Sequence, residues 1–177
     1  MRIIAGAYKG RRLARLEPKC KEIRPTSDMA REALFNILER WPKGAFLDLF
    51  SGTGAVALEA LSRGYSPVWC VENDKNALAH IRNNGLGMNL HILGMDACRI
   101  KSGKFSNLSV IFADPPYEKS LEIWETIAER ICCFLAPQGV IVWECRKAMA
   151  LPKISGLSPV EERKYGEAKF IFLKHSD

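Results

Sequence analysis

From residue 45 onward, short apolar runs alternate with amphipathic stretches, and this alternation restricts the fold more than any other feature of the chain. Residues 45–50 form an apolar strand signal and residues 54–64 a helix signal. Residues 68–71, closed by Glu72, again fit a strand, followed by a helical stretch ending at Asn83-Asn84-Gly85. A weaker strand covers 90–93. Residues 108–113 are nearly all apolar, as strands buried on both faces are. The spacing then predicts a helix over 119–135, with Trp124, Ile127, Ile131, Phe134 and Leu135 on one face, and another buried strand over 139–145. Residues 160–164 and 168–174 pair as antiparallel strands around Tyr165-Gly166-Glu167. Five β-α repeats with a closing hairpin predict an α/β fold, a Rossmann-like doubly wound parallel sheet bearing one antiparallel strand. Upstream, Arg24-Pro25-Thr26-Ser27-Asp28 opens a helix with Thr26 or Ser27 as cap. Ala30, Ala33, Leu34, Ile37, Leu38 and Trp41 follow at helical spacing, and Pro42-Lys43-Gly44 ends it.

The chain has 177 residues, enough for one compact domain with a sizeable core. No apolar run approaches a membrane span, and the first residues lack the core of a signal peptide, so a cytoplasmic protein with no membrane partner is expected. The six cysteines (Cys20, Cys70, Cys98, Cys132, Cys133, Cys145) are scattered and only three histidines accompany them, so reduced thiols and no metal are expected. The net charge of +6 has one source. Residues 1–24 hold eight basic and two acidic side chains, and the remainder holds eighteen of each. Within that stretch Ile3, Ile4, Tyr8 and Leu13 flank Gly6 and a Lys9-Gly10 turn signal, as in a short β-hairpin. A basic hairpin over 1–24 and a neutral body over 25–177 imply a polyanionic partner, met by Arg2, Lys9, Arg11, Arg12 and Arg15. On charge alone, a solvated face is equally compatible.

In doubly wound sheets, ligands bind at the carboxyl ends of the strands. The first strand here runs into Asp48-Leu49-Phe50-Ser51-Gly52-Thr53-Gly54, where two glycines permit a tight turn and the next helix offers its N-terminal N–H groups. Gly52-x-Gly54-x-x-Ala57, with Glu72 twenty residues beyond Gly52, meets a loose dinucleotide fingerprint, although a plain strand-to-helix turn has the same pattern. Glu72 can accept from ribose hydroxyls, which NAD and S-adenosylmethionine share. Asp96, after the third strand, can accept from an adenine amino group. The segment Asp114-Pro115-Pro116-Tyr117 follows the most hydrophobic strand. Its prolines fix φ, remove two donors and leave carbonyl oxygens exposed to a ligand. Asp114 adds an anionic acceptor and Tyr117 a flat face with a polar tip. Acceptors beside an aromatic plate suit a planar base with an exocyclic amino group.

Asp114-Pro115-Pro116-Tyr117 resembles the catalytic motif of class I S-adenosylmethionine-dependent amino methyltransferases, and the segment 48–54 resembles their cofactor motif. Met1-Arg2-Ile3-Ile4-Ala5-Gly6, the Lys9-Gly10-Arg11 turn, and Arg24-Pro25-Thr26-Ser27-Asp28 with Arg31-Glu32-Ala33-Leu34-Phe35-Asn36 look like the bacterial RsmD family. Those enzymes are guanine-N2 methyltransferases of small-subunit (16S) ribosomal RNA. The resemblance runs from residue 1 to the C-terminal hairpin. The four-residue motif is shared with adenine, cytosine and glutamine methyltransferases, while the N-terminal combination is far more specific. The resemblance implies that Asp48, Phe50, Gly52, Thr53 and Gly54 hold the methionine end of the cofactor, Glu72 its ribose, and Asp96 with Ala97 its adenine. Arg24 and Thr26 match a segment that closes over the cofactor.

The implied reaction converts S-adenosylmethionine to S-adenosylhomocysteine without a metal. Asp114 and the Pro115 carbonyl would accept from the attacking amine, Pro116 would hold the segment rigid, and Tyr117 would stack on the extruded base. The implied partner is ribosomal RNA or an assembling small-subunit particle, met by a monomer. The alternatives are methylation of another amino group (adenine N6 in DNA or RNA), an NAD-dependent oxidoreductase, and a non-catalytic RNA-binding module. The oxidoreductase lacks an acid/base histidine, and the bare binding module would have no reason to keep every motif residue.

Overall fold

Strand by strand, the apolar residues alternate between two faces, and each face is covered by different helices. The structure is a computed structural model that describes residues 1–14 and 28–176. Five parallel strands, β1 (Phe46–Leu49), β2 (Val68–Glu72), β3 (Leu90–Gly94), β4 (Leu108–Ala113) and β5 (Leu135–Arg146), are joined by β6 (Leu157–Tyr165) and β7 (Ala168–His175). They form one seven-stranded sheet in the order β3-β2-β1-β4-β5-β7-β6. β7 runs antiparallel to both its neighbours, so it is the one reversed strand of the sheet. Helices α1 (Asp28–Leu38), α2 (Ala55–Ser62), α3 (Lys75–Asn84) and α4 (Ser120–Cys132) complete the layers.

Leu47, Leu49, Ile111, Ala113, Ile141 and Trp143 face α4, where Trp124, Ile127 and Ile131 meet them. The alternate residues Phe46, Val68, Val110, Phe112, Val140 and Val142 face Leu34, Phe35, Val56, Ala57 and Ile81 of α1, α2 and α3. The period-2 pattern thus puts one core on each face of the sheet. Trp124 and Trp143 pack edge to face at 5.0 Å, and the Trp143 indole N–H donates to Ser120 Oγ at 3.0 Å. That contact fixes the start of α4, just after the Asp114-to-Tyr117 segment.

Two of the five expected β-α repeats carry no α-helix. β3 is followed by a three-residue 3-10 turn (Ala97–Arg99), and β5 by an irregular segment. Residues 96–107 offer no apolar stripe of helical spacing; Ala97, Ile100 and Phe105 reach the core one by one. After β5, Met149, Leu151 and Ile154 pack as isolated contacts on the same face. The helix expected over 119–135 ends at Cys132, because Phe134 and Leu135 already turn into β5. That strand begins earlier than expected and accommodates the extra residues through a register shift opposite Leu108 and Val110. The expected helix cap at Thr26 or Ser27 lies outside the described residues.

Candidate active site and nucleic-acid face

The loop after β1 owes its shape to three left-handed residues in five. Phe50 has φ 65°, Gly52 φ 54° and Gly54 φ 77°. For Phe50 this conformation costs about 1–3 kcal/mol, a strain that ordered surroundings must hold. The loop is braced from β2. One oxygen of Glu72 accepts from the Gly52 N–H at 2.8 Å, and the other accepts from Asn73 and Asp74 at 2.8 and 2.9 Å. Glu72, expected to face a ribose alone, therefore also locks the glycine loop. A Cβ at Gly54 would press on Ile81 at 3.2 Å, whereas one at Gly52 would point into open space beside the strand ends.

Asp48 is buried in β1, and its Oδ2 accepts from Ala57 N–H in the first turn of α2 at 3.2 Å. Its pKa is raised well above the usual carboxylate range, first by burial and then by the charges of Asp114 and Glu72. Burial likewise pushes Asp114 up to about 7. Asp114 sits deep among protein atoms yet keeps part of its surface open to the strand ends. Two carboxyl groups withdrawn from solvent thus lie on neighbouring strands, and a cationic guest would favour their charged forms.

Asp96 follows β3 and caps the 3-10 turn, accepting from Cys98 N–H at 2.9 Å, with Ala97 buried behind it. This turn is held from α4. Arg130 donates to the carbonyls of Cys98 and Ile100, both at 2.9 Å, and to Thr126 O at 2.8 Å. Asp48, Glu72, Asp96 and Asp114 therefore stand at or next to the carboxyl ends of four adjacent strands, β1, β2, β3 and β4. Pro115 is buried, Pro116 is exposed, and Tyr117 opens a short 3-10 turn into α4.

Residues 1–14 form a loose hairpin, with one bridge between Arg2 and Arg12 and buried Ile3 and Leu13 packed on Ala55, Leu58 and Met88. Ile4 and Ala5 N–H donate to the Glu59 carboxylate at 2.7 and 3.0 Å, and Tyr8 N–H donates to Ser62 Oγ at 2.9 Å. Gly6 makes this possible: a Cβ there would lie 1.8 Å from the Ser62 carbonyl oxygen. Arg31, fully buried on α1, donates to Arg2 O at 2.6 Å and pairs with Glu59 at 3.6 Å. Asn84 accepts from Ala14 N–H at 2.8 Å and donates to Thr53 O at 3.1 Å, joining the hairpin's last described residue to the glycine loop. Arg2, Lys9 and Arg12 are exposed. Arg11 is half-buried and donates to Leu86 O at 2.6 Å, so it serves as an anchor. Arg15, Arg24 and Thr26 lie outside the described residues.

The sequence profile of a family described as conserved hypothetical protein 95 matches residues 1–174. The chain belongs to this family. YlbH of Bacillus subtilis is 32% identical over 165 residues, 88% of each protein. Ribosomal RNA small subunit methyltransferase D of Escherichia coli is 34% identical over 131 residues, 72% of this chain and 65% of that protein. The solved chain yhhF of Escherichia coli superposes with a TM-score of 0.80 at 28% identity, covering 99% of this chain and 97% of that one. More distant S-adenosylmethionine-dependent methyltransferases share only the fold, which is the class I fold expected from the strand pattern. Four residues of these elements carry no motif, Glu59, Asn84, Arg130 and Glu144, while Arg31 stands inside the N-terminal motif. Only Glu59 and Glu144 left a signal, as lone acids inside otherwise apolar elements.

Proposed function

We propose that this protein transfers a methyl group from S-adenosylmethionine to the exocyclic N2 of a guanine in small-subunit (16S) ribosomal RNA. The observation that carries this reading is the pair of withdrawn carboxylates, Asp48 and Asp114, at adjacent strand ends beside the Glu72-braced glycine loop. The residues fit the cofactor. Two buried carboxyl groups suit a ligand bearing a sulfonium and an amino group, whose charge would favour their ionised forms, and the open side of Gly52 admits close backbone approach. Asp48 with Phe50, Gly52, Thr53 and Gly54 would hold the methionine end, Glu72 the ribose, and Asp96 with Ala97 the adenine. When bound, S-adenosylmethionine supplies a methyl group already activated for transfer.

The remaining work falls to this chain's own atoms. The Asp114 carboxylate and the Pro115 carbonyl would accept hydrogen bonds from the amine, concentrating its lone pair and stabilising positive charge developing on nitrogen. A carboxyl whose pKa lies near 7 is also suited to take the proton that nitrogen sheds. Tyr117 would stack on the base, and Arg2, Lys9 and Arg12 would meet phosphates. No helix among the described residues is long and apolar enough to cross a membrane, and a monomer acting in the cytoplasm on free or assembling ribosomal RNA completes the proposal.

The test supplies labelled methyl donor together with 16S RNA, small subunits from cells lacking the enzyme, or DNA, followed by nucleoside mass spectrometry. N2-methylguanosine from either ribosomal substrate is expected. Label on adenine N6, or on DNA alone, would overturn the proposal.

A further inference from the structure

Two residues of β5 outside the recognised motif, Glu144 and Arg146, stand against Tyr117. The pairing of Ala113 with Trp143 puts Glu144 beside Asp114 on the neighbouring strand. Arg146, two residues on, leaves the same face of β5. Glu144 is 6% exposed, and its carboxylate stands close enough to the Tyr117 phenol for its charge to act on the hydroxyl. Arg146 is exposed, with its guanidinium carbon 5.6 Å from the centre of the Tyr117 ring, within cation–π range. The ring thus has a buried carboxylate near its tip and a guanidinium over one side. Burial and the Glu144 charge push the phenol up to about 12, so it stays a donor across the working pH range.

We infer that Glu144 and Arg146 are positioning residues for the reaction: Glu144 orients the Tyr117 ring and Arg146 occupies one face of it, so that a purine guest stacks on the opposite face alone. This rests on the proposed base methylation. Its physical basis is preorganisation. An aromatic side chain in a short surface turn otherwise spends rotamer entropy at the moment of binding. A ring with one open face also defines the plane of the guest, and hence the direction in which its amino group meets Asp114.

The experiment is a set of double-mutant cycles read in kcat and KM for the ribosomal substrate, with S-adenosylhomocysteine affinity as the control for folding. Glu144→Ala and Tyr117→Phe should each lower kcat about 10-fold with KM changed less than about 3-fold, and the double variant should be no worse than either single. Glu144→Gln, whose amide oxygen can still accept from the phenol, should recover most of the rate. Arg146→Ala should lower kcat about 5-fold in the Tyr117→Phe background, where a ring remains, and have no effect beside Tyr117→Ala. Additive losses in the Glu144 and Tyr117 cycle would overturn the inference. So would an Arg146→Ala effect that persists without the ring, or that acts through KM with a reduced salt dependence, which would make Arg146 a phosphate contact. A wild-type protein that methylates no ribosomal guanine would refute the base-methylation proposal instead, so the two failures are distinguishable.

Discussion

The strand-end site and the N-terminal hairpin fix their polar groups in opposite ways. At the strand ends the acidic side chains are held by backbone N–H groups: Asp48 by Ala57, Glu72 by Gly52, Asn73 and Asp74, Asp96 by Cys98. On the hairpin it is the backbone that is held, by the side chains of Glu59, Ser62 and Asn84, while Arg2, Lys9 and Arg12 stay in water. A reaction centre gains from charges withdrawn from solvent, where each is worth more and repulsion can be exploited. A surface for a flexible polyanion needs a fixed main chain and hydrated, mobile cations.

The largest expected effect tests the first half of that contrast. Asp114→Ala should cut kcat by about 10²–10³, as loss of a transition-state hydrogen-bond partner does. Affinity for RNA should hardly change, and Asp114→Asn should fall between the two. Near-normal turnover of a folded, cofactor-binding Ala variant would remove Asp114 from the chemistry. Next comes the hairpin anchor. Glu59→Ala leaves buried Arg31 with Asp28 as its remaining carboxylate and strands two hairpin N–H groups, a loss of about 3–5 kcal/mol. At about 2–4 °C per kcal/mol for a chain of this size, melting should fall by roughly 6–20 °C. Hydrogen exchange over residues 3–13 should accelerate in step; an unchanged rate there would show that the hairpin docks without Glu59.

A smaller change should follow from replacing Arg2, Lys9 and Arg12 with Gln. The slope of log affinity for RNA against log salt should drop by about 2–3, at roughly 0.7–0.9 per phosphate contact, with cofactor affinity unaffected. An unaltered slope would reduce these cations to a solvated face. The smallest effect concerns pH. Asp114 is raised in the folded protein, so the folded state binds more protons than the unfolded chain between about pH 4 and 7. Stability should therefore fall as pH rises through that window and level off above it. Asp114→Asn should raise the melting temperature at pH 8 by a few degrees, with the gain shrinking towards pH 4. A gain of the same size at every pH would mean that charge is not its source.

What was legible in the sequence was local. Residues 108–113 and the Asp114-to-Tyr117 segment announce themselves within ten residues, because a buried strand, a proline pair and a strand-end acid each have composition signatures. The glycine loop and Glu72 were legible for the same reason, although the brace between them was not. Glu59 and Arg31 belong to helices whose periodicity says only which face is buried. Their partners Ile4, Ala5 and Arg2 lie 29 to 55 residues upstream, and no spacing rule links them. Asn84 looked like a helix terminator and proves to be a three-way joint. The missing helix after β3 has a similar cause: the spacing between strands allowed one, but side chains 96–107 offer no stripe to bury.

The reversed course of β7 has a consequence for how such a site can change. It carries the start of β7, opposite Arg146, to the catalytic rim: Ala168 pairs with Arg146, and Lys147 N–H donates to Glu167 O at 2.8 Å. The short turn through Gly166 thus borders the strand ends while contributing nothing to the strands that hold Asp48 and Asp114. Insertions there would enlarge or reshape the border of the strand ends at little expense to the sheet. The rim can therefore diverge by turn length, while the strand-end carboxyl groups stay frozen in the strands beneath it.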